Sequence, residues 1–152
     1  MNALAAWQRM ESWPLGKAMF SRVVCFKAPY FSTISPRFEE LRPNYARVSM
    51  KKRRGVTNHI GTVHAIAMCN LAELAAGTMT EVSIPASMRW LPKGMTVEYL
   101  KKSSGGVRAT ATLPEVVEGP ARDVPASVQI EDEAGEVVCR AVITMWVSPR
   151  KR

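Results

Sequence analysis

The chain has only two histidines, His59 and His64, and three cysteines, Cys25, Cys69 and Cys139. So few histidines, with no cysteine pair at ligand spacing, do not make a metal site, and none is expected. The cysteines lie far apart, are odd in number and form no CxxC. That excludes a disulfide framework and points to free thiols in a reducing compartment, hence a cytoplasmic protein. No apolar run reaches the roughly 18 residues needed to cross a bilayer, so no membrane span is expected. Arg9, Glu11 and Lys17 interrupt the N-terminal stretch, which does not read as a signal peptide. Aromatic residues make up 7% of the chain, and none stands between the basic run at Lys51–Arg54 and His59. Without stacking side chains interleaved among the cations, nucleic acid is not the expected partner. A P-loop, a dinucleotide fingerprint and a GxSxG elbow are also missing.

What is present fits one domain, 1–152, with a proper core: 152 residues, 47% of them apolar. The net charge of +8 is uneven. Residues 1–54 hold 11 Lys/Arg against 3 Asp/Glu, residues 55–112 hold 5 against 3, and residues 113–152 hold 5 against 7. The excess lies in the first third and is densest at Lys51-Lys52-Arg53-Arg54. Such a cluster attracts phosphate, or is a solvated strand end.

Helical spacing of Trp7, Met10, Trp13, Met19, Val23 and Phe26 predicts an N-terminal helical segment, 1–28, packed on the core through that stripe. It is broken at Pro14-Leu15-Gly16 and ended by Pro29. Thr33 to Leu41 reads as extended, with a bend at Pro36. Arg42-Pro43-Asn44 is turn chemistry, and Ala46, Val48 and Met50 alternate with polar residues as in a half-buried strand. Gly55 to Thr62 is a loop. A central helix follows over 63–79, rich in alanine and apolar on most faces, as in a buried helix. Ser87–Leu91 and Met95–Lys102, either side of Pro92-Lys93-Gly94, then Val107–Leu113, Val124–Ile130 and Glu136–Val147 carry strand signals. Short turns between them imply antiparallel pairing. Residues 148–152 read as a solvated basic tail. The order predicts an α+β fold in which a long antiparallel sheet wraps one central helix. An apolar outer sheet face would call for a second subunit.

In the middle of the central helix sits Glu73. Cys69, Asn70, Ala76 and Gly77 lie three and four positions away, so no Lys or Arg neutralises it within the helix. Among alanines and leucines it is expected to be buried, and an unpaired buried carboxylate is costly. Either another part of the structure satisfies it or a site uses it. The other polar residues of the stretch are Asn58, His59, Thr62, His64 and Asn70. His64 and Glu73, nine positions apart, fall on opposite helix faces at about 100° per residue. One copy cannot easily aim both at one substrate, whereas two copies about a two-fold axis can, so any joint site belongs at a dimer interface. Taken alone, His64 is a helix cap, Asn58 a loop or capping residue, and Cys69 a packed thiol with no base beside it.

The stretch Asn58–Gly77 resembles the hotdog-fold acyl-CoA thioesterases of the phenylacetyl-CoA thioesterase-like branch. Those carry Asn, Gly three residues on, His three further, then Leu-Ala-Asp or Leu-Ala-Glu within the helix. Here these are Asn58, Gly61, His64 and Leu71-Ala72-Glu73, without gaps. The resemblance implies the hotdog fold and hydrolysis of an acyl-CoA or acyl-carrier thioester by a homodimer or dimer of dimers. It implies no cofactor, coenzyme A being part of the substrate. Glu73 takes the place of the catalytic carboxylate, the helix N-terminal amides near Ala65 polarise the thioester carbonyl, and Asn58 and His64 position the carbonyl or the water. Asn70 is a further substrate contact, and Arg53, Arg54, Arg89, Lys101 and Lys102 are candidates for the phosphates of coenzyme A. Where the relatives commonly read His-Gly-Gly, this chain has His64-Ala65-Ile66, which keeps the N–H groups but adds side chains beside them. The alternatives are a non-catalytic hotdog module that binds acyl groups or a protein partner, a dehydratase, and a nucleic-acid-binding domain.

Overall fold

The computed structural model describes residues 2–151. Met1 and Arg152, the outer residues of the expected helical segment and basic tail, lie outside them. The Asn2 side chain accepts from the backbone N–H groups of Leu4 and Ala5 and starts α1, Ala3–Met10. A turn through Pro14 leads to α2, Gly16–Lys27, and then to a 3-10 turn over Pro29–Ile34. The expected core stripe holds at Trp7 and Met10 and fails at Trp13, Met19 and Phe26, which are exposed. Leu15 adopts φ 63°, so α2 starts with a new phase relative to α1 and turns Phe20 and Val24 inward instead. Trp7, Phe20 and Phe38 form an edge-on trio, with centroids 5.2 Å apart for Trp7–Phe20 and for Phe20–Phe38. This trio seats the N-terminal layer against the first strand.

Among the described residues, six antiparallel strands form one sheet in the order β1-β2-β4-β5-β6-β3. They are β1 Arg37–Arg42, β2 Tyr45–Met50, β3 Met88–Tyr99, β4 Val107–Thr112, β5 Arg122–Asp132 and β6 Val137–Pro149. The sequence placed Thr33 and Ile34 in the first strand. They belong to the 3-10 turn, and β1 starts only after Pro36. The turn at Pro43-Asn44 joins β1 to β2, with Asn44 at φ 64°. The two strands expected either side of Pro92-Lys93-Gly94 are a single strand. A register shift between Pro92 and Gly94 absorbs the proline and keeps β3 paired to β6 throughout. The last strand extends through Ser148-Pro149, paired with Arg89 and Met88. Arg150 is tied down too, its backbone N–H donating to Ser87 O and its Nε to Ala86 O, so little of the expected tail is free.

The central helix, α3, runs Ala65–Ser83, four residues beyond the expected end. Gly77 and Thr80 look like terminators, yet the helix ends only as Pro85 approaches. It packs chiefly on β4, β2 and β5. The contact is made of small residues on both sides: Ala72, Ala75 and Ala76 of the helix, and Ala46, Ala109, Ala111 and Ala126 of the strands, all fully buried. Small side chains bring the helix axis close to the sheet. Because α3 is centred there, it leaves much of β3 uncovered. Met95 and Tyr99 pair directly with Ile143 and Cys139, and so share their face of the sheet. Yet Ile143 and Cys139 are buried whereas Met95 and Tyr99 are exposed. The edge strand thus presents an open apolar strip beside the helix.

Candidate active site

The loop before α3 is held by Asn58. Its Oδ1 accepts from the N–H groups of Ile60 (3.1 Å) and Thr62 (3.0 Å), and its Nδ2 donates to Thr62 Oγ1 at 2.8 Å. Gly61 turns the loop at φ +78°, a conformation glycine adopts without strain. Asn58 is therefore engaged by its own loop. The loop is pinned at its far end, where Val63 N–H donates to Ser103 O and His64 N–H to Val56 O.

His64 is the N-cap of α3. Its Nδ1 accepts from Ile66 N–H at 3.0 Å, which places the imidazole proton of the neutral ring on Nε2. Ala65 and Ala67 remain as first-turn donors without a helical acceptor. One turn on, buried Asn70 donates through Nδ2 to Thr33 Oγ1 at 3.2 Å, and Thr33 gives its own proton to Tyr30 O at 2.8 Å. Those two bonds orient the amide and leave Asn70 Oδ1 buried with no partner among the described residues. His64, Ile66, Asn70, Thr33 and Tyr30 border a cavity of about 250 Å³.

Glu73 borders a different cavity, of about 420 Å³, between α2, α3 and the start of β3. The expectation of burial is corrected: Glu73 is exposed, while Leu71, Ala72, Leu74 and Ala75 around it are buried. The helix buries its neighbours against the sheet, and position 73 faces away from them, into the cavity bordered by Trp90 and Pro92 of β3. Its carboxylate makes no hydrogen bond or ion pair among the described residues, so none of those residues satisfies or neutralises it. The two cavities share no lining residue. Within one copy, His64 and Glu73 do not meet.

Four of the five predicted cations cluster at the N-terminal end of α3, and not all are free. Arg53 donates to Thr33 O, and Lys101 is paired with Glu136. Arg54 and Lys102 are exposed, and Lys102 precedes the Ser103 carbonyl that anchors the pre-helix loop. Arg89 stands at the opposite end of β3, its Nε against Ser148 Oγ.

Sequence reasoning missed Tyr99, Trp90, Val24, Phe31 and Thr33, because their approach to α3 is tertiary and carries no local motif. Cys69, one turn before Glu73, lies 3.1 Å from the Tyr99 hydroxyl. That hydrogen bond, helped by partial burial, pushes the Tyr99 pKa up to about 12. Tyr99 stabilises the fold fully below its ordinary value near 10, and that contribution is lost as pH rises through 12. In an absorbance titration of the three tyrosines, one is expected to ionise near 12, and Cys69→Ala to return it towards 10.

Residues 16–147 match the sequence model of the family described as Domain of unknown function (DUF4442). A crystal structure of a genomics target is 47% identical, covers 97% of this chain and 98% of its own, and superposes with a TM-score of 0.84. A protein of unknown function from Pseudomonas aeruginosa, called a probable thioesterase, has a TM-score of 0.75 at 24% identity, over 91% of this chain and 97% of its own. A thioesterase from Haemophilus influenzae has a TM-score of 0.69 at 14% identity, over 79% and 82%. No curated protein matches the chain. With the helix laid on a six-stranded antiparallel sheet, and with that sequence match spanning α2 to β6, the chain belongs to the DUF4442 family and has the hotdog fold.

Proposed function

We propose that this protein hydrolyses an acyl thioester, carried on coenzyme A or on an acyl carrier protein, in a site completed by a second copy of the chain. The observation that carries the reading is Glu73, a carboxylate without a partner, bordering an apolar cavity beside an open edge strand. In a dimer assembled along that strip, Glu73 of one copy faces the helix start of the other. Glu73 then takes a proton from water as the water oxygen attacks the carbonyl carbon. The first-turn amide of Ala65 in the second copy stabilises the oxyanion, aided by the positive end of α3. Collapse of the intermediate breaks the C–S bond and releases the thiol and the carboxylic acid. His64 fixes the helix start and presents Nε2–H towards the substrate. Asn58 acts at one remove, by holding the loop, and Asn70 Oδ1 offers an acceptor to a substrate N–H. Arg54 and Lys102, exposed near this end and without an ion pair among the described residues, suit the phosphates of coenzyme A. Solved structures of the same fold that are called thioesterases support this class of reaction.

The test is thiol release from a series of acyl-CoA substrates, with product analysis on a 3-hydroxyacyl-CoA. Release of free thiol is the expected result. Loss of water from the hydroxyacyl substrate with the thioester intact would replace the reading with a dehydratase. A second reading, binding without turnover, draws on Ile66, an exposed bulky side chain in the first turn of α3 beside the amides that would receive a substrate carbonyl. It predicts saturable acyl-CoA binding with no thiol released.

A further inference from the structure

The cavity that Glu73 borders has a shape of its own. It runs along one side of α3 past Gly77 to Glu81. One wall is Val24 and Phe31, from α2 and the 3-10 turn, and the other is Trp90 and Pro92 of β3, with Leu74 beneath. Gly77 permits this closure: a Cβ at that position would lie 2.9 Å from Trp90 Cη2. The indole is held in place by its own donor, Nε1–H to Glu81 Oε2 at 2.7 Å. With that N–H satisfied, Trp90 offers the cavity only its apolar ring. The lining is mostly apolar, and its polar residues are Glu73 at one end, Glu81 already bonded at the other, Thr78 between them and Lys27 from the last turn of α2.

Resting on the thioesterase reading, we propose that this cavity is the acyl subsite, that its occupant is an unbranched alkyl chain, and that Trp90, seated on Gly77 and anchored to Glu81, sets the chain length. From position 73 to position 81 the helix rises about 12 Å, and an alkyl chain advancing about 1.25 Å per bond fills that with about ten carbons. An apolar trough of this kind gains affinity with each methylene buried and gives nothing to a polar or charged acyl group. The N-terminal helical layer thus supplies one wall of a specificity site.

The experiment measures binding apart from turnover. Non-hydrolysable S-alkyl-CoA thioethers of increasing chain length are titrated onto the full chain by calorimetry. Affinity is expected to rise about fourfold per methylene and to level off near ten carbons. Gly77→Ala, which pushes the indole into the trough, moves the plateau to shorter chains. Trp90→Leu, which keeps an apolar side chain and clears space, moves it to longer ones. Affinity independent of chain length, as when a second copy of the protein fills the trough, overturns the proposal, and so does a plateau that neither variant moves. Thiol release from acyl-CoA is followed in parallel. Length-dependent binding without release leaves the subsite standing and removes the thioesterase reading. Release with no length dependence does the reverse.

Discussion

Glu73→Gln is expected to keep the fold and to lower kcat for thiol release by about 10²–10⁴-fold, the range attached to a positioned general base. Glutamine matches glutamate in shape but cannot take a proton from water. The native side chain is exposed and makes no hydrogen bond or ion pair among the described residues, so the stability change should stay within about 0.5 kcal/mol. A drop in kcat with an unchanged KM and an unchanged melting curve would assign Glu73 to the chemical step. A variant as fast as the wild type would remove the proposed mechanism, whatever its substrate preference.

Mixed dimers give the second large effect. If Glu73 of one copy works with His64 and Ala65 of the other, Glu73→Gln and His64→Ala are each severely impaired as homodimers. Unfolded and refolded together in equal amounts, half of the dimers are mixed, and each mixed dimer holds one intact site and one doubly altered site. About a quarter of the wild-type activity should return, as the two-fold symmetry of a shared site requires. Activity no greater than the sum of the two homodimers would mean that each site is built within one chain. The cavities of the single chain argue against that, since His64 and Glu73 border different ones.

The fold was largely legible in the chain. Alternating residues such as Ala46, Val48 and Met50 can face one core only as a strand, and an alanine-rich run can be covered on most faces only at the centre of a molecule. The errors fell where tertiary contacts override local signals. Gly77 reads as a helix stop, and it is where an indole rests on the helix. Pro92-Lys93-Gly94 reads as a turn, but pairing with β6 continues past it. Glu73 reads as buried because its neighbours are, and periodicity alone could not say that α3 would leave this flank open. Candidate site residues could be named by motif, but where each stands in the fold could not. Asn58 spends its amide on its own loop, Arg89 is at the far end of the strand from the other cations, and Trp90 belongs to no motif.

Trp7 lies outside the matched family segment of 16–147, yet it is almost fully buried against Phe20. A shortened version trimmed to that segment would strip the cover from Phe20 and Phe38 and cut α1 away from the α2 wall. It would also lose Ser148 and Pro149, the pairing partners of Arg89 and Met88 just ahead of Trp90. The minimal unit for expression, crystallisation or tagging therefore begins no later than the Asn2 cap and ends no earlier than Arg150.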